Sequence, residues 1–421
     1  MIKGNTIEKD MSLLRETMRK TLDEQGLAEK EAVYSYWLDT VAGVGRGTIM
    51  RLRYFVGTPG RIYAATGEER AKWLENGWLS EAQETAWKEA KQRQNVQDLQ
   101  QELEHKQIRC IPYGSNSYPK RLREIADPPA NLYVCGELPT EKSPSVAIVG
   151  ARLCSDYGRY MARQFGSQLA KNGVQVISGM AMGVDGISQQ AALEAGGKSF
   201  GVLGCGADIC YPEQNHNLYE MLIQRGGVLS EYVPGTEPQP RLFPPRNRII
   251  SGCADLVLVV EARKKSGTLI TVDAALEQGR EVYALPGRVT DTLAQGCNEL
   301  MRQGAGIAVS PETIAEAAWE VWQNKWQEQA GAGVPERTEQ GEDDSFREYK
   351  MKRVLSDREW NVYQQLSEQG KTPEELYRIL CETDTSWSIA GVSATLVQLC
   401  VHKYARTENG RFYRENVQNN G

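Results

Sequence analysis

Four short and mainly apolar segments, separated by stretches with helical periodicity, dominate the pattern of the chain between Ser145 and Pro311. They cover residues 146–149, 174–177, 200–203 and 256–260. Runs of this kind that alternate with helices are typical of strands buried on both faces of a parallel sheet. Each run leads into a glycine-containing or polar turn, where the chain leaves the strand. The pattern therefore predicts an α/β domain with a Rossmann-like parallel sheet.

The regions on either side of this domain have different patterns. From Tyr34 to about Glu104, apolar residues recur at three- and four-residue spacing, which predicts a helical domain. Two strands are expected next, at Ile108–Pro112 and Asn131–Gly136. Gly, Glu and Asp are frequent in the region that follows the main domain, a composition typical of a linker. The predicted organisation is an N-terminal extension (1–33), a helical domain (34–105), the Rossmann-like domain (106–325), a linker (326–350) and a C-terminal domain (351–421).

The C-terminal domain is predicted to contain three helices and a hairpin. Ser356 caps the first helix, which runs to Gln369, Pro373 opens the second, and the third covers Ile389–His402. Asn409–Gly410 is a strong hairpin turn. This order of elements predicts a small winged-helix domain. The third helix has no basic residue before its final histidine, so both DNA reading and a structural or protein-contact role remain open.

One turn in the helical domain has a second interpretation. Residues Val41–Thr48 join two predicted helices through Gly43 and Gly45. The turn resembles that of a helix-hairpin-helix, whose glycines free backbone N–H groups for a DNA phosphate. A domain of the sterile-alpha-motif (SAM) or helix-hairpin-helix type is therefore expected, although an ordinary tight turn between helices explains the same residues.

Composition argues against several classes of function. The chain of 421 residues has a formal net charge of −6, and residues 146–310 hold 15 Lys/Arg and 15 Asp/Glu, so any phosphate site must be local. The nine cysteines form no CxxC pair and the three histidines lie far apart, so neither a disulfide framework nor a metal site is expected. No segment has 18 consecutive apolar residues. We expect a cytoplasmic protein without a metal or other cofactor.

Arginines, serines and amides occupy the glycine turns, and they include no obvious nucleophile–base pair. This combination favours phosphate binding over bond cleavage. Gly150 and Arg152 follow the first strand, where an arginine can hold a phosphate through two parallel N–H bonds. An ion pair of Arg152 with Asp156 or Glu261 is the alternative.

The end of the second strand carries Ser178 and Gly179. A hydroxyl and unobstructed backbone N–H groups at a helix entrance suit a second phosphate oxygen. A simple tight turn is the alternative explanation for the same pair.

Two further polar groups are candidates for DNA contacts. Arg246, Asn247 and Arg248 precede the apolar pair Ile249–Ile250, a position that is costly for polar groups without a polar partner. Arg246 suits a phosphate and Asn247 a base or sugar, whereas Arg248 either contacts DNA or ties the loop internally. Another charged run, Arg263–Lys265, adjoins a phosphate-accepting loop, and the expected contacts are Lys264, Lys265, Ser266, Gly267 and Thr268. A solvated surface run is the alternative.

Taken in order, these motifs resemble the DNA-processing protein A (DprA, or Smf) family. No single motif is specific, but the ordered set over about residues 108–310 is. The residues that carry the resemblance are Ala147–Arg152, Ser178–Asp185, Gly204–Asp208 with Tyr211–Pro212, Leu229–Tyr232, Phe243–Ile250, Ser266–Thr271, Gly279–Arg280, Ala284–Gly287 and Gly296–Leu300. Two positions depart from many members: Ala151 stands where serine is common, and Asn217 where some carry lysine.

The resemblance implies a protein that binds and protects incoming single-stranded DNA, self-associates as a homodimer and helps to load the RecA recombinase in natural transformation and homologous recombination. It implies no catalytic turnover. Self-association is predicted through the apolar residues Leu300, Met301 and Ile307, with Val309 beside them. Burial of these residues in the domain's own core is the alternative.

Three rival functions have weaker support in the sequence. A nucleotide-processing phosphoribohydrolase of the lysine-decarboxylase-like type needs a catalytic glutamate in a glycine loop, where the loop Ser266–Thr271 has threonine. A dinucleotide-dependent oxidoreductase needs a Gly-x-Gly-x-x-Gly motif after the first strand, which is absent. A purely structural scaffold leaves the arginines beside glycine turns unexplained. Asp185 and Asp208 are expected to cap backbone N–H groups, not to act as acids.

Overall fold

The structure, a computed structural model, describes residues 27, 29–331, 355–367, 369–382, 386–402, 404–408 and 410–415. Nearly all of the predicted N-terminal extension and most of the predicted linker lie outside these ranges. The chain forms two compact units, Met1–Gly333 and Val334–Gly421, which are treated separately below. Within the described part of the chain, no helix combines the length and apolar character that a membrane crossing requires.

The first unit begins with a helical region, as the periodicity predicted. Trp37 and Trp87 are fully buried at its centre, with ring centroids 4.8 Å apart in an edge-to-face arrangement. Capping boxes at Thr66 and Ser80 satisfy the first N–H groups of two of its helices. The helices are α1 Ala32–Thr40, α2 Arg46–Val56, α3 Pro59–Tyr63, α4 Gly67–Glu75, α5 Glu81–Arg93 and α6 Val96–His105.

A nine-stranded sheet follows, and seven of its strands are parallel. The order is β1-β2-β6-β5-β4-β3-β7-β8-β9, with β1 and β2 antiparallel at one edge. Every residue of β3 to β7 is buried, because helices cover both faces of the sheet. The strands are β1 Arg109–Pro112, β2 Asn131–Gly136, β3 Ser145–Val149, β4 Gln175–Ser178, β5 Ser199–Val202, β6 Gly227–Ser230, β7 Leu256–Val259, β8 Glu281–Ala284 and β9 Gly306–Ile307.

The sheet confirms the predicted α/β class and creates a switch point beside its central strand. From β3 the chain proceeds through β4, β5 and β6 on one side, then returns to β7, which pairs with the other side of β3. Ligands of such sheets bind outside the carboxyl ends of the strands at this point. The helices of this region are α7 Lys120–Arg123, α8 Asp156–Lys171, α9 Val184–Glu194, α10 His216–Arg225, α11 Phe243–Gly252, α12 Gly267–Glu277, α13 Gln295–Arg302 and α14 Pro311–Gly331. Because α14 continues to Gly331, the first residues of the predicted linker are helical.

A buried polar network joins the helical region to the sheet. Asp39 of α1 accepts hydrogen bonds from Tyr133 Oη at 2.6 Å and Asn131 Nδ2 at 2.7 Å, both on β2. Ser35 Oγ donates to Asn131 Oδ1 at 2.6 Å. Burial raises the pKa of Asp39 to about 6, against the lowering effect of the two donors. The Asp39 carboxylate therefore links the helical region to the sheet, and the free-energy cost of burying its charge depends on pH.

The second unit has the predicted order of three helices and a hairpin. Its core contains Trp360, Tyr363, Leu376 and Leu396. Capping boxes begin the first two helices, and the hairpin is antiparallel. The winged-helix assignment stays a prediction. The elements are α15 Asp357–Gln365, α16 Pro373–Cys381, α17 Ile389–Val401, β10 Ala405–Glu408 and β11 Arg411–Arg414.

The first of these helices ends four residues before the predicted Gln369. The segment after Gln365 bonds to the hairpin instead of continuing the helix. Arg414 N donates to Ser367 O at 3.3 Å, and Lys371 exchanges backbone hydrogen bonds with Phe412. Asn409 of the predicted turn lies outside the described residues.

Replacement of Asp39 by asparagine is predicted to remove a pH-dependent contribution to stability. Because the folded pKa of about 6 lies above the ordinary value of 3.8, the stabilising contribution is complete at low pH. It is lost as pH rises through about 6, and the loss is up to about 3 kcal/mol. Guanidinium unfolding of both proteins from about pH 4 to about pH 6.5 should show the difference in unfolding free energy, wild type minus Asp39→Asn, falling over this range. The exposed Asp98 of α6, changed to asparagine, is the control; parallel profiles for wild type and Asp39→Asn would contradict the prediction.

Candidate nucleic-acid interface

A pocket of about 520 Å³ opens at the carboxyl edge of the sheet, beside the switch point. The loop after β3, the start of α9, the first turns of α11 and the start of α12 form its walls. The chain thus brings together segments that are more than 100 residues apart. The principal lining residues are Gly150, Ala151, Arg152, Ala181, Asp185, Tyr211, Phe243, Arg246, Asn247, Ser266, Gly267, Thr268 and Thr271.

Arg152 lines the pocket with a guanidinium that has no ion-pair partner among the described residues. The alternative partners are engaged elsewhere or distant. Glu261 accepts hydrogen bonds from the backbone N–H of Ser155 at 2.9 Å and from the Ser155 hydroxyl. Asp156 lies 3.9 Å from Arg159. The charged group of Arg152 is therefore exposed and available to an anion.

The start of α12 forms another wall of the pocket. Ser266 caps this helix by accepting a hydrogen bond from Thr268 N at 3.2 Å. Gly267 is exposed, and no atom lies within 4 Å of the position of a Cβ there, so a ligand can approach the backbone. Thr268 Oγ1 donates to Gly150 O at 3.2 Å, which ties this helix to the loop that carries Arg152. The start of α12 and the loop after β3 are thus held together, and a helix start with an accessible backbone can accept an anion.

Arg246 forms the floor of the pocket. The residue is only 4% exposed, and its Nη1 donates to Gly179 O at 3.0 Å and to Val202 O. Burial lowers its pKa to about 10, partly offset by the nearby carboxylate of Asp185. The guanidinium therefore stays charged at neutral pH and offsets the negative charge of Asp185 beside it.

Gly179 provides the space in which this charge fits. A Cβ at Gly179 would lie 2.8 Å from Arg246 Nη2 and 2.8 Å from Asp185 Oδ2. Asp185 accepts from Gly179 N at 3.1 Å, so the carboxylate caps the turn as expected. Burial raises the pKa of Asp185, and Arg246 acts in the opposite direction. The backbone N–H of Gly179, predicted to meet phosphate, is consequently occupied.

Two of the predicted contact residues are bonded inside the fold. Ser178 is fully buried, and its hydroxyl donates to Ile148 O at 2.6 Å inside the sheet. Arg248 forms a bidentate ion pair with Glu231, at 2.7 and 2.6 Å, and its Nε donates to Asp127 O at 2.8 Å. Ser178 therefore has no hydroxyl to offer a ligand, and Arg248 ties the loop internally, the alternative that the sequence left open.

The remaining predicted residues lie at or beside the pocket. Asn247 accepts from Arg246 Nε at 3.2 Å, and its amide faces Gly267 O at 3.5 Å. Lys264 and Lys265 are exposed on the loop before α12, outside the pocket lining. They extend positive charge from the pocket onto the surface.

Two aromatic residues of the pocket were not predicted as contacts. The rings of Tyr211 and Phe243 have centroids 5.4 Å apart, and the Cζ atoms of Arg152 and Arg246 lie 5.8 and 5.7 Å from the Phe243 centroid. Each ring precedes a proline in a motif of the resemblance, Tyr211–Pro212 and Phe243–Pro244. An aromatic residue directly before a glycine- or proline-rich turn was the available signal.

The acidic residues of the motifs have structural partners. Asp208 accepts from Gly235 N at 2.8 Å and pairs with Lys106 at 3.0 Å, so it caps a turn as predicted. Glu231 is held by Arg248. No group of three or more metal-ligating residues occurs within the described ranges.

The predicted self-association residues divide between core and surface. Leu300 belongs to the buried core and Met301 packs against it, so for these two the burial alternative applies. Ile307 is 53% exposed on the edge strand β9, and Val309 beyond it is also exposed.

Comparisons with known proteins agree with this architecture. Residues 109–318 match the family model of DNA recombination-mediator protein A. The DNA processing protein DprA of Bacillus subtilis is 41% identical over 210 residues, 50% of this chain and 71% of that protein. DprA of Streptococcus pneumoniae is 42% identical over 197 residues, 47% of this chain and 70% of that protein.

Solved structures show the same similarity. The crystal structure of DprA from Streptococcus pneumoniae covers 69% of this chain and 97% of that chain, with 30% identity and a TM-score of 0.58. DNA processing protein A of Helicobacter pylori, whose structure describes a single-stranded DNA binding mode, is 30% identical and covers 50% of this chain and 95% of that chain, with a TM-score of 0.46.

The family is one of DNA-processing recombination mediators and not of enzymes, which confirms the prediction that the protein is not an enzyme. The sequence match spans the strands and loops that build the pocket. The matched residues, and the share of the relatives' length that they cover, show that the chain belongs to the DNA-processing protein A (DprA/Smf) family of DNA recombination mediators.

Proposed function

We propose that this protein binds single-stranded DNA in the pocket at the carboxyl edge of the sheet. As a mediator it then helps to load RecA recombinase during natural transformation and homologous recombination. The observation that carries the proposal is the exposed Arg152 guanidinium, which has no ion-pair partner in the described chain and lines the same pocket as the start of α12. Its proposed contacts are Gly150, Arg152, Asn247, Lys264, Lys265, Ser266, Gly267 and Thr268, with Arg246 below them.

The charges of the pocket suit phosphate. Arg152 can donate two parallel N–H bonds to one phosphate, and the positive end of the α12 dipole faces the same space. Arg246 is buried below these groups, where its charge offsets that of the Asp185 carboxylate. With Asp185 partly neutralised by Arg246, the pocket favours an anion.

The aromatic rings favour a single strand over a duplex. The Phe243 ring lies beside Arg152 and Arg246, and the Tyr211 ring lies next to Phe243. A base next to a phosphate bound at Arg152 is therefore within reach of a ring. Stacking on such rings requires an unstacked base, which a single strand supplies without the cost of opening a duplex.

Self-association is proposed through the free edge of the sheet, with a second copy of the chain as the partner. Ile307 on β9 is exposed, and Leu276 of α12 is 60% exposed beside a groove of about 430 Å³. An open strand edge flanked by apolar side chains is suited to pairing with another chain. The family resemblance, which implies a dimer, supports the same partner.

Replacement of Arg152 by alanine is predicted to weaken binding of a single-stranded oligonucleotide by about 1.5–3 kcal/mol, the range for a charge-assisted hydrogen bond. The melting temperature should hardly change, because Arg152 is exposed and makes no ion pair with described residues. Fluorescence anisotropy at several salt concentrations measures affinity, which should fall steeply with salt. The exposed Arg225, at the end of α10 and just before the amino end of β6, is the matched control. Equal loss from Arg225→Ala, or tighter binding to duplex of equal length, would contradict the proposal.

The mediator role predicts faster RecA filament formation on single strands coated with single-strand-binding protein. Wild type should shorten the lag in RecA ATPase activity, and Arg152→Ala should shorten it less at equal concentration, because RecA loading follows DNA binding. The protein itself should release no product from ATP or from the strand. If Arg152→Ala shortened the lag as much as wild type does, RecA loading would not depend on this pocket.

Replacement of Ile307 by glutamate is predicted to shift the protein from dimer towards monomer, because a charge would be buried without a partner at the proposed interface. Sedimentation velocity at about ten micromolar protein, a level at which a complex of micromolar affinity is well populated, measures the change. Val289, exposed on the loop after β8, changed to glutamate, is the matched control. A wild-type protein that sediments as a monomer would contradict self-association.

A further inference from the structure

A second cleft lies on the carboxyl edge of the sheet, formed by the ends of β7 and β8. It has a volume of about 740 Å³ and lies between the first turn of α8 and the loop that follows β8. Val260 and Leu285 form a buried apolar floor. Tyr157, Pro286 and Asp291 are among the residues that line its walls. None of these residues belongs to the phosphate pocket.

We propose that this cleft binds an unstacked base of the same single strand whose phosphate lies at Arg152. The inference rests on the proposed function and assigns a base subsite to residues outside the motif arginines. The bound group is a nucleobase, held against the ring of Tyr157.

The two sites are continuous along the chain. Arg152 lines the phosphate pocket, and Ser155, three residues later, lines the cleft. Three extended residues span at most about 10 Å, so the two sites are close enough to be occupied by neighbouring nucleotides of one strand. A strand that leaves the pocket over the loop 152–155 enters the cleft directly.

The chemistry of the cleft suits a base better than a phosphate. The ring of Tyr157 is 45% exposed beside the apolar floor, which permits stacking. Asp156 and Asp291 line the cleft together with Arg288, so the carboxylates outnumber the cation and disfavour a phosphate. Carboxylates accept hydrogen bonds from the exocyclic amino groups of cytosine and adenine.

The walls of the cleft are held in position before a ligand binds. Glu261 accepts from the backbone N–H of Ser155 at 2.9 Å and fixes the start of α8. Asn298 bonds both the N–H and the carbonyl of Gly287, at 3.3 and 3.1 Å, and fixes the loop after β8. Tyr157 Oη donates to Pro286 O at 3.2 Å and links the two walls. A base therefore enters a formed cleft with little further ordering cost.

The test uses the full chain and oligodeoxycytidines that carry one 5-iododeoxycytidine at each position in turn. Irradiation should crosslink one position to Tyr157, identified by peptide mass spectrometry. Tyr157→Ala should weaken binding roughly 5- to 150-fold, the range for loss of one stacked base. Tyr157→Phe, which keeps the ring and loses only the hydrogen bond to Pro286, should retain most of the wild-type affinity. Tyr160→Ala is the matched control, an exposed tyrosine one turn further along α8 and outside the cleft lining.

An abasic nucleotide at the crosslinked position provides the second readout. The abasic nucleotide should weaken binding by the wild type. It should not change binding by Tyr157→Ala, because that variant has already lost the stacking contact. A different result would overturn the base subsite but not the proposed function. In that result Arg152→Ala loses binding, Tyr157→Ala keeps the wild-type affinity, and crosslinks form only to Tyr211 or Phe243. A cleft that docks a protein instead would give this same result. If Arg152→Ala binds normally as well, the proposed function itself fails.

Discussion

The arrangement of the pocket at the carboxyl edge of the sheet depends on the hydrogen bonds of the buried Arg246 guanidinium. Its hydrogen bonds to Gly179 O and Val202 O connect the ends of β4 and β5 to α11. A charge in this position is costly unless it is paired and bonded, and Asp185 together with the two carbonyls meets that requirement. Because the side chain stays protonated, Arg246 also offsets the charge of the Asp185 carboxylate in the pocket.

Arg121, Arg152 and Arg248 differ in their bonding partners, and these partners indicate what each side chain does. Arg248 is saturated by Glu231 and by the backbone of Asp127, so it holds the α11 segment in place. Arg121 likewise bonds Asp255 at 2.8 Å inside the fold. Arg152 has no ion-pair partner in the described chain and faces the pocket. Side chains with complete internal bonding hold the loops in place, whereas Arg152 is exposed and lines the pocket.

Rigidity of the edge follows from bonds between loops that are far apart in the chain. Thr268 ties α12 to the loop of Arg152, and Glu261 ties β7 to the start of α8. These bonds hold the walls of the pocket and of the cleft in place. Pre-formed sites avoid the ordering cost that flexible loops would incur on binding.

Local pattern predicted much of this protein from the sequence alone. The continuous apolar runs predicted the parallel strands, the three- and four-residue periodicity predicted the N-terminal helices, and the glycine turns marked the edge of the sheet at which the pocket opens. These features depend on residues close in the chain, where periodicity and turn chemistry act directly. The position of Arg152 beside Gly150 was predictable for the same reason.

Tertiary structure alone decided which side chains are free at that edge. Arg246 and Arg248 are two residues apart, yet one lines the pocket and the other pairs with Glu231. The hydroxyl of Ser178 is lost to Ile148 of a neighbouring strand, and Tyr211 meets Phe243 from 32 positions away. Each outcome depends on a partner that folding brings from a distant segment, and no local pattern specifies such a partner.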